Sequence, residues 1–153
     1  MKDLILVKHA SGAPGLRLFG LGPNFSPQRG AIQLKFLLGR NTLWAQNRSL
    51  QDIKKMLSNS VAIVSVWQNN QMVGFGRATS DEVYRAVLWD IVVDKKHQKN
   101  GLGKIIVDTI LKNKLISKAE RIYLMTTSCE KFYSKMGFLP EKEQTLMMKT
   151  SNY

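Results

Sequence analysis

The chain has 153 residues with 44% hydrophobic content, one cysteine and a formal net charge of +12. This length suits a single domain, 1–153, with a core of its own and excludes two full-sized domains. No apolar stretch approaches the ~20 residues of a membrane span, and the lone Cys129 excludes an internal disulfide. The first residues form too short and too polar a stretch for a secretory signal, so we expect a cytoplasmic protein.

The positive charge would suit nucleic acid, an anionic membrane surface or a polyanionic cofactor. The basic residues are spread along the chain, and no interleaving of aromatic and basic residues resembles an RNA-binding signature. We therefore expect neither a nucleic-acid nor a membrane partner, and a polyanionic cofactor would account for part of the excess.

The first half of the chain predicts two helices after a segment, 1–28, that is hard to interpret. Glycines and prolines punctuate that segment, with short extended pieces at 4–7 and 16–19. A first helix is predicted from about Arg29 to Leu38. Ser49 opens a second one, because the run 49–52 resembles a capping box and precedes apolar residues at helical spacing.

The second half changes to β structure. The runs 61–67 and 72–78 predict a hairpin closed by Asn69 and Asn70, and 84–93 predicts a third strand. A fourth strand is expected at 121–125, a short helix near 130–136 and a final strand at 144–149.

A glycine turn follows the third strand and opens a helix. Gln98, Gly101 and Gly103 precede apolar residues at helical spacing, and this helix is expected to carry an i, i+4 row of polar residues that includes Lys104 and Asp108. The first N–H groups of a helix lack internal partners and lie at the positive end of its dipole, and glycines let a ligand approach them. The turn therefore predicts a phosphate site. Point charges around it come from Lys95, Lys96, Lys99 and Lys104.

Two known phosphate fingerprints do not fit this turn. A third glycine is missing for a dinucleotide-binding motif, and Ile105 follows Gly103-Lys104 where a P-loop needs serine or threonine. The turn resembles the [Q/R]-x-x-G-x-[G/A] motif of the GNAT superfamily of N-acetyltransferases. The later run 132–138, Phe-Tyr-Ser-Lys-Met-Gly-Phe, resembles the F-Y-x-x-x-G-F box of that family.

The resemblance covers about residues 29–149 and implies the α/β fold of that family. Its element order is β-α-α-β-β-β-α-β-α-β, a bent mixed sheet with helices on both faces, and the first strand would be 4–7 or 16–18. The implied activity is acetyl transfer from acetyl-coenzyme A to a primary amine. Within the family, the sequence resembles the short cyanobacterial and plastid-encoded forms, which are akin to chloroplast enzymes that acetylate arylalkylamines such as serotonin. If this chain is plastid-encoded, its location would be the plastid stroma instead of the cytoplasm.

The resemblance also implies where the cofactor binds. The pantetheine arm would lie along Ile91, Val92 and Val93, with Ile91 and Val93 forming the backbone hydrogen bonds. The pyrophosphate would meet the backbone N–H groups that follow, those of Gln98, Lys99, Asn100, Gly101, Leu102, Gly103 and Lys104. No metal is implied.

Two residues are candidates for acid and base chemistry. Tyr133 falls on the tyrosine that serves many members of the family as general acid to the leaving thiolate. Asp90 is the candidate general base, with Asp81 and Glu82 as runners-up. Trp89-Asp90 resembles a pair in the plant enzymes, so Trp89 is a candidate substrate contact. Strand alternation puts these two on opposite faces. The resemblance implies that this strand is often bulged, which would redirect one of them.

The remaining polar residues are expected to be bystanders. His9 and His97 lie outside the expected catalytic strand, and Cys129 is expected to pack. An asparagine that often reaches the pantetheine in the family is replaced here by the run Thr126, Thr127 and Ser128.

Three possibilities remain open for the substrate that accepts the acetyl group: a small aromatic amine, a protein lysine or N-terminus, and no acceptor at all. In the last case the fold would be a non-catalytic basic module that binds RNA or ribosomes. The family allows a homodimer, and specificity is expected around 29–50, which would roof the acceptor cleft.

Overall fold

The computed structural model describes residues 3–19, 22–23 and 28–150, with Phe19 described by its backbone only. In chain order the helices and strands are β1 (Ile5–His9), α1 (Gly30–Asn41), α2 (Leu50–Ser58), β2 (Ala62–Gln68), β3 (Gln71–Ser80), β4 (Arg85–Val93), α3 (Leu102–Leu111), α4 (Lys114–Ser117), β5 (Arg121–Tyr123) and α5 (Glu130–Ser134). A π-helical turn covers Gly15–Phe19 and a 3₁₀ turn covers Lys95–His97.

The five strands form one mixed sheet in the order β1-β2-β3-β4-β5. The first four are antiparallel neighbours, whereas β5 runs parallel to β4. The pairing of β4 with β5 covers only three positions, from Arg85 with Arg121 to Val87 with Tyr123. Beyond Val87, therefore, β4 has no strand beside it on that side within the described residues.

Helices cover both faces of the sheet, as expected. Helices α1 and α2 bury Leu34, Leu37 and Ile53 against Trp67 and Phe75. Helix α3 covers the other face, with a second buried cluster. A Cβ on Gly76 would lie 2.6 Å from Ile106 Cγ2, so this glycine permits the close approach of α3 to β3. The two layers hold β4 between them.

Several element predictions are confirmed. The first strand is Ile5–His9, whereas residues 16–18 lie in the π-helical turn. The second helix begins as expected, because the Ser49 hydroxyl accepts a hydrogen bond from the Asp52 N–H at 3.0 Å. The first helix extends three residues past its expected end, to Asn41.

The prediction of a final strand at 144–149 is wrong. These residues belong to no strand, and Leu146, Met147 and Met148 are 74–88% exposed. Three consecutive apolar residues lack the alternation that would bury one face of a strand. Strand β5 also ends at Tyr123 instead of residue 125 and offers a ladder of only three positions.

Within residues 3–19, 22–23 and 28–150, no helix combines the length and apolar character that a membrane crossing would need.

Candidate active site

A β-bulge interrupts β4 at the centre of the site. The register with β3 shifts so that Asp90 and Ile91 together face one residue of β3, Gly76, and Asp90 takes a φ of 53°. Trp89 pairs with Arg77 in the register, and the Asp90 carboxylate contacts the same arginine. The bulge therefore turns Trp89 and Asp90 to one face, which is the face of α1 and α2.

The other side of the bulge presents an open strand edge. The Asp94 N–H donates to the Val73 carbonyl of β3 at 2.8 Å. Because successive residues of a strand direct their polar groups to opposite sides, Val93 directs its own toward the edge that β5 does not reach. The Gln98 side chain, which donates to the Val93 carbonyl at 3.0 Å, lies on that edge. Ile91, two residues earlier, shares this orientation.

The turn after β4 carries a run of backbone N–H groups without acceptors. The Lys95 N–H donates to Asn41 Oδ1, and the Lys96 N–H donates to Asp94 Oδ1. From residue 98 to residue 104, by contrast, no backbone N–H has an acceptor in the described part of the chain. The first bond of α3 is from the Ile105 N–H to the Gly101 carbonyl at 3.1 Å. Seven successive amides are therefore available to an anion.

Gly101 leaves space beside the amides of 98–104, which together form an anion cradle. It has a φ of 78°, in the left-handed region that favours glycine, and no atom lies within 4 Å of the position a Cβ would take. The lysines of the turn, Lys95, Lys96 and Lys99, are exposed. Lys104 is paired with Asp108 one turn later, which confirms the expected polar row on α3. The arrangement suits a polyanion such as a pyrophosphate.

Helix α5 places Tyr133 on the side of the sheet that α3 covers. Its neighbour Phe132 lies next to the turn, since a Cβ on Gly103 would be 3.4 Å from Phe132 Cζ. The Tyr133 ring contacts Phe132 and Phe138 edge to face, with ring centroids 4.9 and 5.9 Å apart. Burial, together with the nearby Cys129 thiol, raises the pKa of Tyr133 to about 12. The half-buried hydroxyl has no partner among the described residues and keeps its proton at neutral pH.

Asp90, the candidate base, is held by two arginines. Its Oδ1 accepts from Arg48 Nη1 at 3.0 Å and its Oδ2 from Arg77 Nε at 2.6 Å, and its side chain is 4% exposed. These contacts are those of a buried ion-pair cluster, and the catalytic role of Asp90 stays a prediction. Asp81, a runner-up, lies in an exposed turn, where its carboxylate accepts three backbone N–H bonds. These bonds lower the pKa of the Asp81 carboxyl, and the bond from the Arg85 N–H has the largest effect.

The expected bystanders have structural partners. His9 Nε2 lies 2.7 Å from the buried Ser65 hydroxyl, and burial lowers the pKa of His9 to about 4. His97 Nε2 lies 2.7 Å from Gln68 Oε1. The expectation that Cys129 packs is wrong, because it lies exposed in the turn before α5, with its N–H donating to Thr126 Oγ1. The described residues hold no group of three or more metal-ligating side chains.

Arg48 and Arg77 are site residues that the sequence did not single out. Arg77 carried a signal, since it is the one charged residue in the apolar run 72–78 that was predicted to be a strand. A cation in such a strand needs a partner of opposite charge. Arg48 carried no comparable signal, because a cation in a polar loop is ordinary.

Comparisons with known proteins agree with this geometry. The model of the acetyltransferase (GNAT) family matches residues 33–138. An uncharacterized N-acetyltransferase, ycf52, from Pyropia yezoensis is 34% identical over 101 residues, which cover 63% of this chain and 58% of that protein. The chloroplastic GCN5-related N-acetyltransferase 2 of Arabidopsis thaliana is 35% identical over 77 residues, or 50% of this chain and 30% of that protein.

A solved structure from Xanthomonas campestris pv. campestris, described as a GNAT-family protein, has the same fold. Its TM-score is 0.73 at 20% identity, and the match covers 99% of this chain and 95% of that one. The family match spans more than half of the chain, from the first helix to Phe138, and includes the turn, the bulged strand and Tyr133. The chain belongs to the acetyltransferase (GNAT) family.

Proposed function

We propose that this protein transfers an acetyl group from acetyl-coenzyme A to a primary amine by direct transfer in a ternary complex. The observation that carries the proposal is the run of seven backbone N–H groups, 98–104, which have no acceptors among the described residues and adjoin an open strand edge. The chain spans about six-tenths of the length of its Pyropia relative, so the activity is proposed for the region that the chain covers.

The residues at this edge fit the parts of coenzyme A. The backbone of Ile91 and Val93 would pair with the pantetheine arm as an added strand would, while the side chain of Val92 stays in the core. The amides of 98–104 would hold the pyrophosphate, with the exposed lysines of the turn adding charge. Acetyl-coenzyme A, when bound, supplies an acetyl group activated as a thioester.

Tyr133 is the proposed donor to the sulfur that leaves. A free thiol has a pKa of roughly 8.5, so a phenol whose pKa is about 12 gives up its proton fully only to a more basic group. The Tyr133 hydroxyl therefore acts by holding its proton and donating a hydrogen bond as negative charge develops on the sulfur. Since no other described residue bonds this hydroxyl, its hydrogen is available to the sulfur.

The proposed acceptor is an arylalkylamine such as serotonin. The support lies on the face of α1 and α2, where Trp44 stacks with Arg48 and Trp89 with Arg77. These are the two arginines that hold Asp90. Trp44 is 57% exposed and belongs to the segment 42–49 between α1 and α2, the region where specificity was expected. A flat aromatic surface of this kind suits an aromatic amine. The chloroplastic relative supports the plastid stroma as the location.

The test is an assay of free thiol release from acetyl-coenzyme A with a panel of acceptors. The panel holds serotonin, tryptamine, spermidine and a lysine peptide, and mass spectrometry identifies each acetylated product. We expect turnover with the aromatic amines to exceed that with spermidine and the peptide. Turnover on the peptide alone would move the acceptor to protein amines. Absence of both turnover and stabilisation by acetyl-coenzyme A would refute the enzyme.

A further inference from the structure

The cluster around Asp90 joins three separate segments. Arg48 comes from the loop 42–49, Arg77 from β3 and Asp90 from the bulge of β4. The side chains of Arg48 and Arg77 are 31% and 12% exposed, against 4% for Asp90. The carboxylate lies between two cations and is the most buried of the three groups, so losing it would leave two guanidinium groups unpaired.

Both arginines have further contacts that fix their direction. Arg48 Nη1 lies 3.3 Å from Met56 Sδ, and its guanidinium carbon lies 5.0 Å from the centre of the Trp44 ring. Arg77 Nη1 donates to the Ser60 hydroxyl at 3.3 Å. Its guanidinium carbon lies 5.7 Å from the centre of the Trp89 ring, whose Nε1 donates to Thr79 Oγ1. The contacts form one path from Trp44 through Asp90 to Trp89.

Apart from the cap that Ser49 forms on α2, the loop 42–49 has few other attachments among the described residues. At its start the Thr42 N–H donates to Leu38, and Ala45 is buried against the core. Leu43 is 88% exposed and Trp44 is 57% exposed, so these two large apolar side chains contribute little packing. The Arg48 ion pair is therefore the main polar tie between the second half of this loop and the sheet.

We infer that Asp90 is a positioning residue which, through Arg48, holds Trp44 and the loop 42–49 in place as one wall of the amine site. The inference rests on the proposed function for the identity of the ligand, an aromatic amine. It differs from a general-base role, because the carboxylate acts by keeping its contacts with the arginines and takes no proton from the substrate. The bulge makes this possible by turning Asp90 to the face of α1 and α2.

The kinetic test compares three variants with a matched control. Arg48→Met removes the ion pair but keeps the length of the side chain, Arg48→Lys keeps the charge, and Asp90→Asn removes the central carboxylate. The control is Arg85→Met, which removes an arginine whose ion pair with Glu120 is exposed and lies at the far end of β4.

We expect Arg48→Met and Asp90→Asn to raise KM for the aromatic amine about ten- to a hundredfold, in line with a wall displaced by about 1 Å. The dissociation constant of acetyl-coenzyme A should change little, because its proposed site lies along the open edge of β4 and in the turn after it. Arg48→Lys should recover part of the loss, and Arg85→Met should match the parent. An amine KM within twofold of the parent in both variants would overturn the inference.

A second measurement does not depend on activity. Of the three tryptophans, Trp67 is fully buried and Trp44 is the most exposed, so acrylamide quenching of fluorescence reports mainly on Trp44. We expect quenching to increase in Asp90→Asn, because the link from Asp90 to Trp44 runs through Arg48. If Asp90→Asn fails to fold, the same comparison uses Arg48→Met.

The two measurements separate the inference from the proposed function. Unchanged quenching in the folded variants would overturn the positioning role whether or not the parent is active. Increased quenching with no turnover by the parent would support the positioning role and refute the proposed function.

Discussion

The two sides of β4 present different chemical groups, backbone amides and carbonyls on one side and side chains on the other. On the open edge and in the turn after it, the site consists of backbone groups: amides 98–104 and the polar groups of Ile91 and Val93. On the face of α1 and α2 it consists of side chains drawn from positions 44, 48, 77 and 90. Backbone groups are placed by local conformation, whereas the side chains are placed by tertiary packing. The first side should therefore respond to changes in conformation and the second to changes in charge.

The largest expected effect is on the backbone side. Gly101→Val puts a β-branched residue at a φ of 78° and fills the space beside the free amides. Acetyl-coenzyme A at 100 times its dissociation constant should stabilise the parent by about 2.7 kcal/mol, and the variant should lose this stabilisation. Thermal unfolding with and without ligand measures the difference.

Gly39→Ala is the control for this substitution. Gly39 lies in α1, and no atom lies within 4 Å of its missing Cβ, so alanine should fit and leave ligand binding intact. Equal stabilisation of the parent and Gly101→Val would show that the turn does not bind the cofactor.

The next prediction concerns Tyr133, the proposed hydrogen-bond donor to the cofactor that the backbone side would bind. Tyr133→Phe should lower kcat by about ten- to a thousandfold, the range for loss of one positioned donor, with cofactor affinity within a few-fold. Stability should barely change, since the hydroxyl has no partner to lose among the described residues. Tyr123→Phe, which loses a contact with Gln144 Oε1 at 3.2 Å, is the control.

The pH dependence gives this test a second arm. With a pKa of about 12, Tyr133 should stay protonated through pH 10, so the rate of the parent should show no alkaline decline from this group below about pH 11. A decline centred near pH 10 that disappears in Tyr133→Phe would show an ordinary phenol. A variant as fast as the parent would leave Tyr133 as packing.

The contrast between the two sides also explains which parts were accessible from sequence. Gly101, Gly103 and Gln98 are close together in the chain and act locally, so their pattern predicted the turn, its helix and the family. The bulge was anticipated only through the family resemblance. The partners of Asp90 were not found, because Arg48 and Arg77 lie 42 and 13 residues away from it and only the folded sheet brings them to the carboxylate. The expected last strand fails for a partly local reason, because 144–149 lacks apolar alternation, and the short β5 adds a second, since it offers a ladder of only three positions.

The third prediction separates the two roles of Asp90 on the side-chain side. If Asp90 positions the loop, the pH–rate profile of Asp90→Asn should overlay that of the parent after scaling, because no proton acceptor has been removed. If Asp90 is the base, the loss should be greatest at low pH, where the amine is mostly protonated. Profiles of kcat/KM for the amine between pH 6 and 10 decide between the two, and a low-pH loss would overturn the positioning role.

The smallest effect on binding and catalysis concerns His9, which lies in β1 away from the proposed site and acts on stability alone. Its ring contacts Ser65, whose hydroxyl also accepts from Trp67 Nε1 at 2.7 Å within the buried core of α1 and α2. Burial lowers the pKa of His9 from 6.5 to about 4, so between these values the unfolded chain binds a proton that the folded chain does not. The free energy of unfolding should therefore fall as the pH falls from 6.5 to 4, by about 3 kcal/mol at most from this residue.

Denaturant unfolding of the parent and of His9→Gln at several pH values measures this contribution. Carboxylates titrate in the same window, but they do so equally in both proteins, so the difference between the two slopes isolates His9. We expect the variant to be less stable at pH 7, because it loses the fitted contact with Ser65, and to lose less stability on acidification. Parallel slopes would show that His9 accepts a proton in the folded state as readily as in the unfolded chain.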